Sequence, residues 1–290
     1  MIHLMPTTRC NLSCQNCCFA EANSMKKQDL PIEEAKNIIE QFYKLGTRAL
    51  EITGFGDLTC YPYVNELINH ASKLGFVIGA NSNGHLIKNI KNLNKLKWLR
   101  LSMNTLDFYD IDDAYPMDYI RKTAPNLKIS GCYVNTSLAK KTIPKVIDFA
   151  HNEKMMVRIV PNCIDSKKGI KTQIKQLKKL VPKDDKYVFI SDFNINLNDR
   201  KNNNCFLHMI KPAIAPDGYV YSCPSSELSV ENGTKFNNEF RICKGTDVYS
   251  FYTSEEAYKI PQHKCSYCKY INFNNILEDV LTKSDFNEFT

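Results

Sequence analysis

Four cysteines fall within nine residues of "TTRCNLSCQNCCFAEAN", residues 7–23. Cys10, Cys14 and Cys17 form C-x3-C-x2-C, and Cys18 adjoins the third. Spacings of four and three would also place thiols on one helical face. However, Pro6, Thr7, Thr8 and Asn11 are poor helix-interior residues, and the stretch directly follows a strand signal. Disulfides need an oxidising compartment, and "MIHLMPTTRC" has no basic region, long apolar run or cleavage site of an export signal. Zinc normally takes four ligands from paired motifs. Here the fourth would be Cys18, and adjacent residues rarely reach one metal together. Three thiolates on an iron–sulfur cubane leave one iron without a protein ligand, free to bind a substrate or cofactor. The spacing favours this last arrangement.

A second group lies near the other end. Cys205 and Cys223 bracket Gly218 as C-x12-G-x4-C, and Cys265 and Cys268 follow as C-x2-C. Pro216-Asp217-Gly218 between two short apolar runs is a hairpin signature. Such a hairpin would bring its ends together, so four thiolates could converge on one metal. A zinc ribbon is the alternative, although ribbons more often use two C-x2-C pairs. Cys18, Cys60, Cys132, Cys163 and Cys243 remain, and small core residues are the default reading for them. The six histidines form no HxH or HExxH spacing. Asp107, Asp110, Asp112 and Asp113 in "TLDFYDIDDAY" read as a solvated acidic loop.

The elements that must carry these residues alternate steadily. Strand signals cover residues 2–5, 48–53, 76–81, 98–103, 127–134 and 155–161. Amphipathic helix signals lie between them, as in "PIEEAKNIIEQFYKLG", where Ile32, Ala35, Ile39 and Phe42 share a face. "YVNELINHASKLG" and "TIPKVIDFAHNEK" repeat the design, and a further helix follows over 170–181. Alternating βα units predict a parallel sheet with helices outside it. Six units are too few for the usual closed eight-stranded barrel, so the sheet is expected to be open. "NINLNDRKNNNC" is polar and aperiodic, which places a boundary near residue 195. The tail beyond it has too few apolar positions to fold without a metal.

Composition limits the remaining possibilities. With 290 residues, 43% hydrophobic, the chain can bury a sizeable core. The net charge of +7 is a mild excess that suits anionic small molecules and makes nucleic acid an unlikely partner. No apolar run approaches the ~18 residues of a membrane span. The sequence therefore reads as a cytoplasmic protein.

C-x3-C-x2-C after the first strand of a partial (βα)6 barrel resembles the radical S-adenosylmethionine (SAM) superfamily. The resemblance implies a [4Fe–4S] cluster on Cys10, Cys14 and Cys17 whose open iron chelates SAM. An electron from the cluster then cleaves SAM to methionine and a 5′-deoxyadenosyl radical, which abstracts hydrogen. It further implies SAM contacts at Gly54, Gly56 and Asp57 in "EITGFGDLTCYP", where the family has Gly-Gly-Glu. Ser82 and Asn83 in "NSNG", Ser102 in "RLSMN" and Val160 in "VRIVP" are implied as well. Asn16 departs from the aromatic usual beside the third cysteine, and Phe19 is a candidate to replace it.

The tail resembles SPASM/Twitch auxiliary domains. No cysteine follows Cys268, so it is closer to a Twitch domain with one [4Fe–4S] cluster on Cys205, Cys223, Cys265 and Cys268. Cys243 could replace one of these. The implied fold is α/β, a partial (βα)6 parallel barrel over 1–195 with a small α+β Twitch-like domain over 196–290. The implied activity is that of a radical SAM oxidoreductase with two [4Fe–4S] clusters and SAM, supplied by an electron donor such as flavodoxin or ferredoxin. By layout it is similar to the class that dehydrogenates an aminocyclitol, so a small polar substrate such as a sugar or aminocyclitol is expected. The barrel's first strand starts at Met1, which leaves no room for a leader-peptide-binding domain. Modification of a ribosomally made peptide is the second expectation, and a non-catalytic zinc or iron–sulfur module is a distant third. Cys60, Cys132 and Cys163 are candidates to return a hydrogen atom to a substrate radical.

Overall fold

The computed structural model describes residues 1–15, 17–19, 26–162, 165, 167–191, 204–224, 230–231, 235–260 and 270–283. The barrel part runs β1 (Ile2–Leu4), α1 (Ile32–Lys44), β2 (Ala49–Ile52), α2 (Val64–Leu74), β3 (Val77–Ser82) and β4 (Leu96–Ser102). It continues with α3 (Ile111–Ala114), α4 (Met117–Thr123), β5 (Lys128–Val134), α5 (Ala139–Asn152), β6 (Val157–Val160), α6 (Lys167–Leu177) and β7 (Val188–Ile190). The tail adds α7 (Leu207–Ile210), β8 (Ala213–Ile214), β9 (Tyr219–Tyr221), β10 (Val230–Glu231), β11 (Lys235–Phe236), β12 (Arg241–Lys244), α8 (Val248–Tyr252) and α9 (Ile271–Lys283).

All six expected strands form, and the sheet is mostly parallel and open. Among the described residues its order is β12-β9-β8-β1-β2-β3-β4-β5-β6-β7. β7 is a seventh parallel strand beside β6, missed because three residues carry too short an apolar run to stand out. The periodic helices do what their sequences predict. α1 buries Ala35, Ile38, Ile39 and Phe42, and α2 buries Val64, Leu67, Ile68 and Ala71. Glu33 and Glu34 in the first turn and Lys44 in the last also suit the helix dipole of α1. α5 begins three residues before the expected Thr142, so Pro144 stands inside it. The Thr142 hydroxyl holds that turn by donating to Asp107 Oδ1 at 2.6 Å.

The acidic stretch after β4 is not simply a solvated loop. Its first acid, Asp107, also accepts from the Tyr133 hydroxyl at 3.2 Å and from Thr136 at 3.3 Å, tying the β4 end to the start of α5. Residues 111–114 and 117–123 form short helices.

The tail continues the barrel rather than standing on a core of its own. β8 runs parallel to β1, with His3 opposite Ala213, and β9 returns antiparallel to β8 across the expected hairpin. Ile214, Val220 and Val248 belong to the same apolar core as α1 and β1–β6. Gln41 of α1 donates to the Gly245 carbonyl at 2.9 Å and accepts from the Tyr249 N–H at 2.8 Å. No helix among the described residues is long and apolar enough to cross a membrane.

One packing contact closes the barrel interior from below. The Trp98 ring lies against Gly79, where an added Cβ would stand 2.0–2.4 Å from indole atoms. Both positions are on neighbouring paired strands, so neither backbone can retreat. Gly79→Ala should therefore destabilise the fold by about 1–3 kcal/mol, the usual range for overpacking, measured by denaturant unfolding. Unchanged stability would show that Trp98 can leave the barrel floor.

Candidate active site

The cysteine loop hangs from a stem built at the carboxyl end of β1. Thr7 and Asp29 form an antiparallel bridge, the Thr8 N–H donates to the Gln28 carbonyl at 2.9 Å, and Arg9 Nε pairs with Asp29 at 2.7 Å. Residues 10–27 therefore leave and return at one point. The stem is fastened to the turn after β2 by backbone alone. The Gly56 N–H donates to the Thr7 carbonyl at 2.9 Å and the Asp57 N–H to the Arg9 carbonyl at 2.8 Å. A Cβ at Gly56 would lie 2.0 Å from the Arg9 carbonyl oxygen, so only glycine permits this approach. Gly54, at φ +120°, needs glycine for its backbone conformation.

Asp57 organises the next turn. At 4% exposed, its carboxylate must find donors inside the protein. It accepts from the Thr59 N–H at 2.9 Å and the Thr59 hydroxyl at 2.6 Å. From the end of β3 it takes the Ser82 hydroxyl at 3.0 Å and the Asn83 N–H at 2.6 Å. Asn83 Nδ2 in turn donates to Asn11 Oδ1 at 2.8 Å and approaches Cys10 Sγ at 3.8 Å. The Thr105 hydroxyl donates to the Asn83 carbonyl at 2.6 Å, which carries the chain of contacts to the end of β4.

These turns surround a cavity of about 380 Å³ at the carboxyl ends of the strands. Cys10 and Cys14 are on its wall with Gly54, Gly56, Asp57, Ser82, Asn83 and Ser102. Cys18 also faces the cavity, whereas Cys17 lies behind the wall, its sulfur accepting the Phe19 N–H at 3.4 Å. Val160 is buried and does not line the cavity; Val134, opposite it in register, does. Phe19 packs on Phe55 at 4.7 Å between centroids; Asn16 lies outside the described residues. Of the three candidate hydrogen donors, Cys132 lines the cavity. Cys60 lines a separate pocket, and Cys163 lies outside the described residues.

The thiols suit a soft metal better than covalent catalysis. Burial pushes the Cys14 and Cys17 thiols up to about 11, and the charges of neighbouring cysteines push the same way. Burial also raises Cys10. Such thiols are poor nucleophiles at neutral pH, but a metal can displace their protons. Among the described residues, no three Cys, His, Asp or Glu side chains are grouped tightly enough to hold a metal ion as they stand. Cys10, Cys14 and Cys17 nevertheless feel one another's charge, and an iron–sulfur cubane separates its thiolates more widely than one zinc ion does. The donor set and the glycine-lined wall opposite it fit a cubane with a ligand on its open iron.

Sequence reasoning missed the inner polar layer. His3, Glu51, Asn81, Arg100, Cys132 and Arg158 point inward from β1 to β6. Asn81 Nδ2 donates to Glu51 at 2.6 Å, and Arg158 Nε to Cys132 Sγ at 3.4 Å. The signal was present as polar residues in "LEIT", "GANS", "LRLS" and "VRIV", since parallel strands covered on both faces are ordinarily apolar throughout.

In the tail, the Cys205 N–H donates to the Ile260 carbonyl at 2.9 Å, and Asn274 of α9 bonds both the Phe206 N–H and the Asn204 carbonyl. Cys223 follows β9, while Cys265 and Cys268 lie outside the described residues. Cys243 is on β12 and packs against the main core, with its thiol pushed up to about 12 chiefly by burial.

Comparison with known proteins agrees with this geometry. Residues 4–129 match the family model of the Radical SAM superfamily. A 7,8-dihydro-6-hydroxymethylpterin dimethyltransferase of Methanocaldococcus jannaschii is 38% identical over 111 residues, 37% of this chain and 22% of that protein. An S-adenosylmethionine-dependent nucleotide dehydratase of Flammeovirga pacifica is 31% identical over 106 residues, 34% of this chain and 36% of that protein. The chain therefore spans well under half the length of either curated relative. The structure of Streptococcus suis SuiB bound to S-adenosylmethionine aligns with a TM-score of 0.60 at 16% identity, covering 89% of this chain and 66% of that one. The match makes residues 4–129 similar to a radical SAM domain.

Replacing Asp57 tests the organisation of the site without any cofactor. Asp57→Ala leaves the Ser82 hydroxyl and the Asn83 N–H without their acceptor. A buried donor left unpaired costs about 1–3 kcal/mol. The unfolding free energy should fall by at least that amount, with Asp57→Asn intermediate. Equal stability of all three proteins would show that water replaces the carboxylate.

Proposed function

We propose that this chain cleaves SAM reductively and abstracts hydrogen from a substrate held in the 380 Å³ cavity. One observation carries the reading. The cysteine loop, the Gly54–Asp57 turn, Ser82, Asn83 and Ser102 meet around one cavity at the carboxyl ends of β1–β4. Cys10, Cys14 and Cys17 would hold a [4Fe–4S] cluster. When bound, it would supply the electron that splits SAM into methionine and a 5′-deoxyadenosyl radical. Gly54 and Gly56, which leave room for Met5 and the Arg9 backbone, put their turn on the cavity wall with Cys10 and Cys14. Asp57 keeps Ser82 and Asn83 turned toward that wall, and Ser102 closes the far side. Cys132, beside Arg158, is the described thiol best placed to return a hydrogen atom.

The tail is read as a Twitch-like unit over 196–290 with a second [4Fe–4S] cluster on Cys205, Cys223, Cys265 and Cys268. Supporting this, Ile260 and Asn274, on either side of the segment that carries Cys265 and Cys268, are both bonded beside Cys205. A second cluster would give a substrate radical somewhere to leave an electron, so net oxidation of a small polar molecule is the preferred reaction. The two sequence relatives are named for small molecules, a pterin and a nucleotide. Modification of a ribosomally made peptide is the second reading. Either reaction needs an external electron donor such as flavodoxin or ferredoxin.

Anaerobically reconstituted and reduced protein should convert SAM to 5′-deoxyadenosine, and Cys14→Ala should abolish the conversion while leaving the circular dichroism spectrum unchanged. Cleavage persisting in that variant would refute the assignment of the first cluster. For the second, Cys265→Ser should lose roughly half the iron, because a cubane missing a thiolate is exposed and labile. Cys243→Ser should keep all of it. Equal iron loss in both variants would place Cys243 among the ligands.

A further inference from the structure

The cavity that receives SAM in this reading has a cationic side to which no role has been given. Arg100 of β4 and Arg158 of β6 both line it. Arg100 is within 5.2 Å of the Trp98 ring and donates to Asn81 Oδ1 at 3.4 Å. Arg158 directs Nε to Cys132 Sγ, and among the described residues its two terminal nitrogens have no hydrogen-bond partner. Cys132 is directly opposite Ser102 on β4 and Arg158 on β6, so Arg158 stands at the level of Ser102.

Among the described residues, neither guanidinium has a carboxylate within ion-pairing distance. Glu51, the nearest acid on the inner layer, accepts from Asn81 at 2.6 Å and lies 3.2 Å from His3 Nε2. Asp57, the acid on the cavity wall, is occupied by Thr59, Ser82 and Asn83. Burial and then the charge of Arg158 oppose the cation of Arg100, and the charge of Glu51 favours it. Two partly buried cations held near each other without a direct ion pair gain from a ligand that supplies an anion. A planar guanidinium with free terminal donors suits an oxyanion, which it can bind through two parallel hydrogen bonds.

We propose that Arg100 and Arg158 form an oxyanion subsite for the substrate, which therefore carries a carboxylate or a phosphate. This deepens the SAM-cleavage reading and rests on it. The cysteine loop lies beyond the ends of β1 and β2, whereas the two arginines project from β4 and β6. The geometry thus separates a ligand on the cluster from an anion at the guanidiniums. Cys132, held by Arg158, would lie next to the anionic end of the substrate.

The test uses reconstituted full-length protein with SAM at saturation, titrated calorimetrically with inorganic phosphate and, separately, with acetate. Wild type should bind at least one of the two at a single site, and the tighter one identifies the anion class. Arg100→Gln and Arg158→Gln should each weaken that binding by about tenfold or more, the value of a charge-assisted hydrogen bond. Arg158→Lys should fall between wild type and Arg158→Gln, which guards against a variant that merely misfolds. The exposed Arg48→Gln should leave the binding unchanged. SAM affinity should stay within about twofold in Arg158→Gln. Undiminished anion binding in both Gln variants overturns the proposal. So does a parallel tenfold loss of SAM affinity, which would give the guanidiniums to the SAM carboxylate. A wild type that binds the anion but forms no 5′-deoxyadenosine would instead refute the SAM reading and leave the subsite standing.

Discussion

The approach of the Gly56 backbone to the Arg9 carbonyl is the contact on which the rest of the site depends. Two hydrogen bonds, from Gly56 to Thr7 and from Asp57 to Arg9, join the cysteine loop to the turn after β2. They bring Asp57 to a position where its carboxylate can collect donors from β3, and Asn83 then reaches back to Asn11 and Cys10. The circuit closes on the loop where it began. The described part of the cysteine loop is held by this circuit, because each turn satisfies the polar groups of the next. The aspartate in place of the family's glutamate fits the same logic. Its shorter side chain is held by the Thr59 N–H, two residues on, and so faces the backbone of β3.

The residue between the two glycines has a second task. Phe55 is buried, with Phe19 of the cysteine loop on one side and Phe236 of the tail on the other, at 4.7 and 5.2 Å between centroids. Met5, Ala213, Tyr221 and Phe240 complete this small apolar cluster. The tail therefore packs against the same turn that shapes the active site. The boundary expected at 195 rests on composition alone. Chain polarity changes there, but β8 and β9 extend the barrel sheet and share its core. A metal in the tail would then be attached to an already folded edge, so its removal should loosen residues near the ligands more than the hairpin itself.

Much of the fold was legible because parallel βα units repeat two strong patterns, short apolar strands and amphipathic helices with buried faces at three- and four-residue spacing. The exceptions have particular causes. β7 is too short to signal itself, and α5 begins at Ala139, three residues before the apolar periodicity expected from Thr142. Asp107 looked solvated because its neighbours Asp110, Asp112 and Asp113 are acidic, and its hydroxyl partners come from residues 26 to 35 positions away. The cysteine spacing and the glycine turn pointed to residues that the fold brings around one cavity. They could not show that Cys17 would lie behind the wall while Cys18 faced the cavity, or that Val134 rather than Val160 would line it. Those outcomes depend on side-chain direction at a strand end, which one residue of register reverses.

The inner layer was overlooked for a different reason. Polar residues at alternate positions of buried strands look like ordinary half-exposed alternation when each strand is read alone. Only the sheet register brings Glu51, Asn81, Arg100, Cys132 and Arg158 onto one face of the sheet. Stability alone would favour filling such a barrel with branched aliphatic side chains, as the outer faces of the same strands do with Leu99, Leu101, Ile78 and Ile159. Each inward polar group instead needs a partner, and the partners here are incomplete on the β4–β6 side. Asn81 and Glu51 satisfy each other, and Trp98 against Gly79 seals the floor beneath them. Arg100 and Arg158 stand on β4 and β6 along the wall of the cavity that Cys10 and Cys14 also line. A fold that closes its polar layer on one side and leaves two guanidiniums open on the other has separated the place for a neutral contact from the place for an anion.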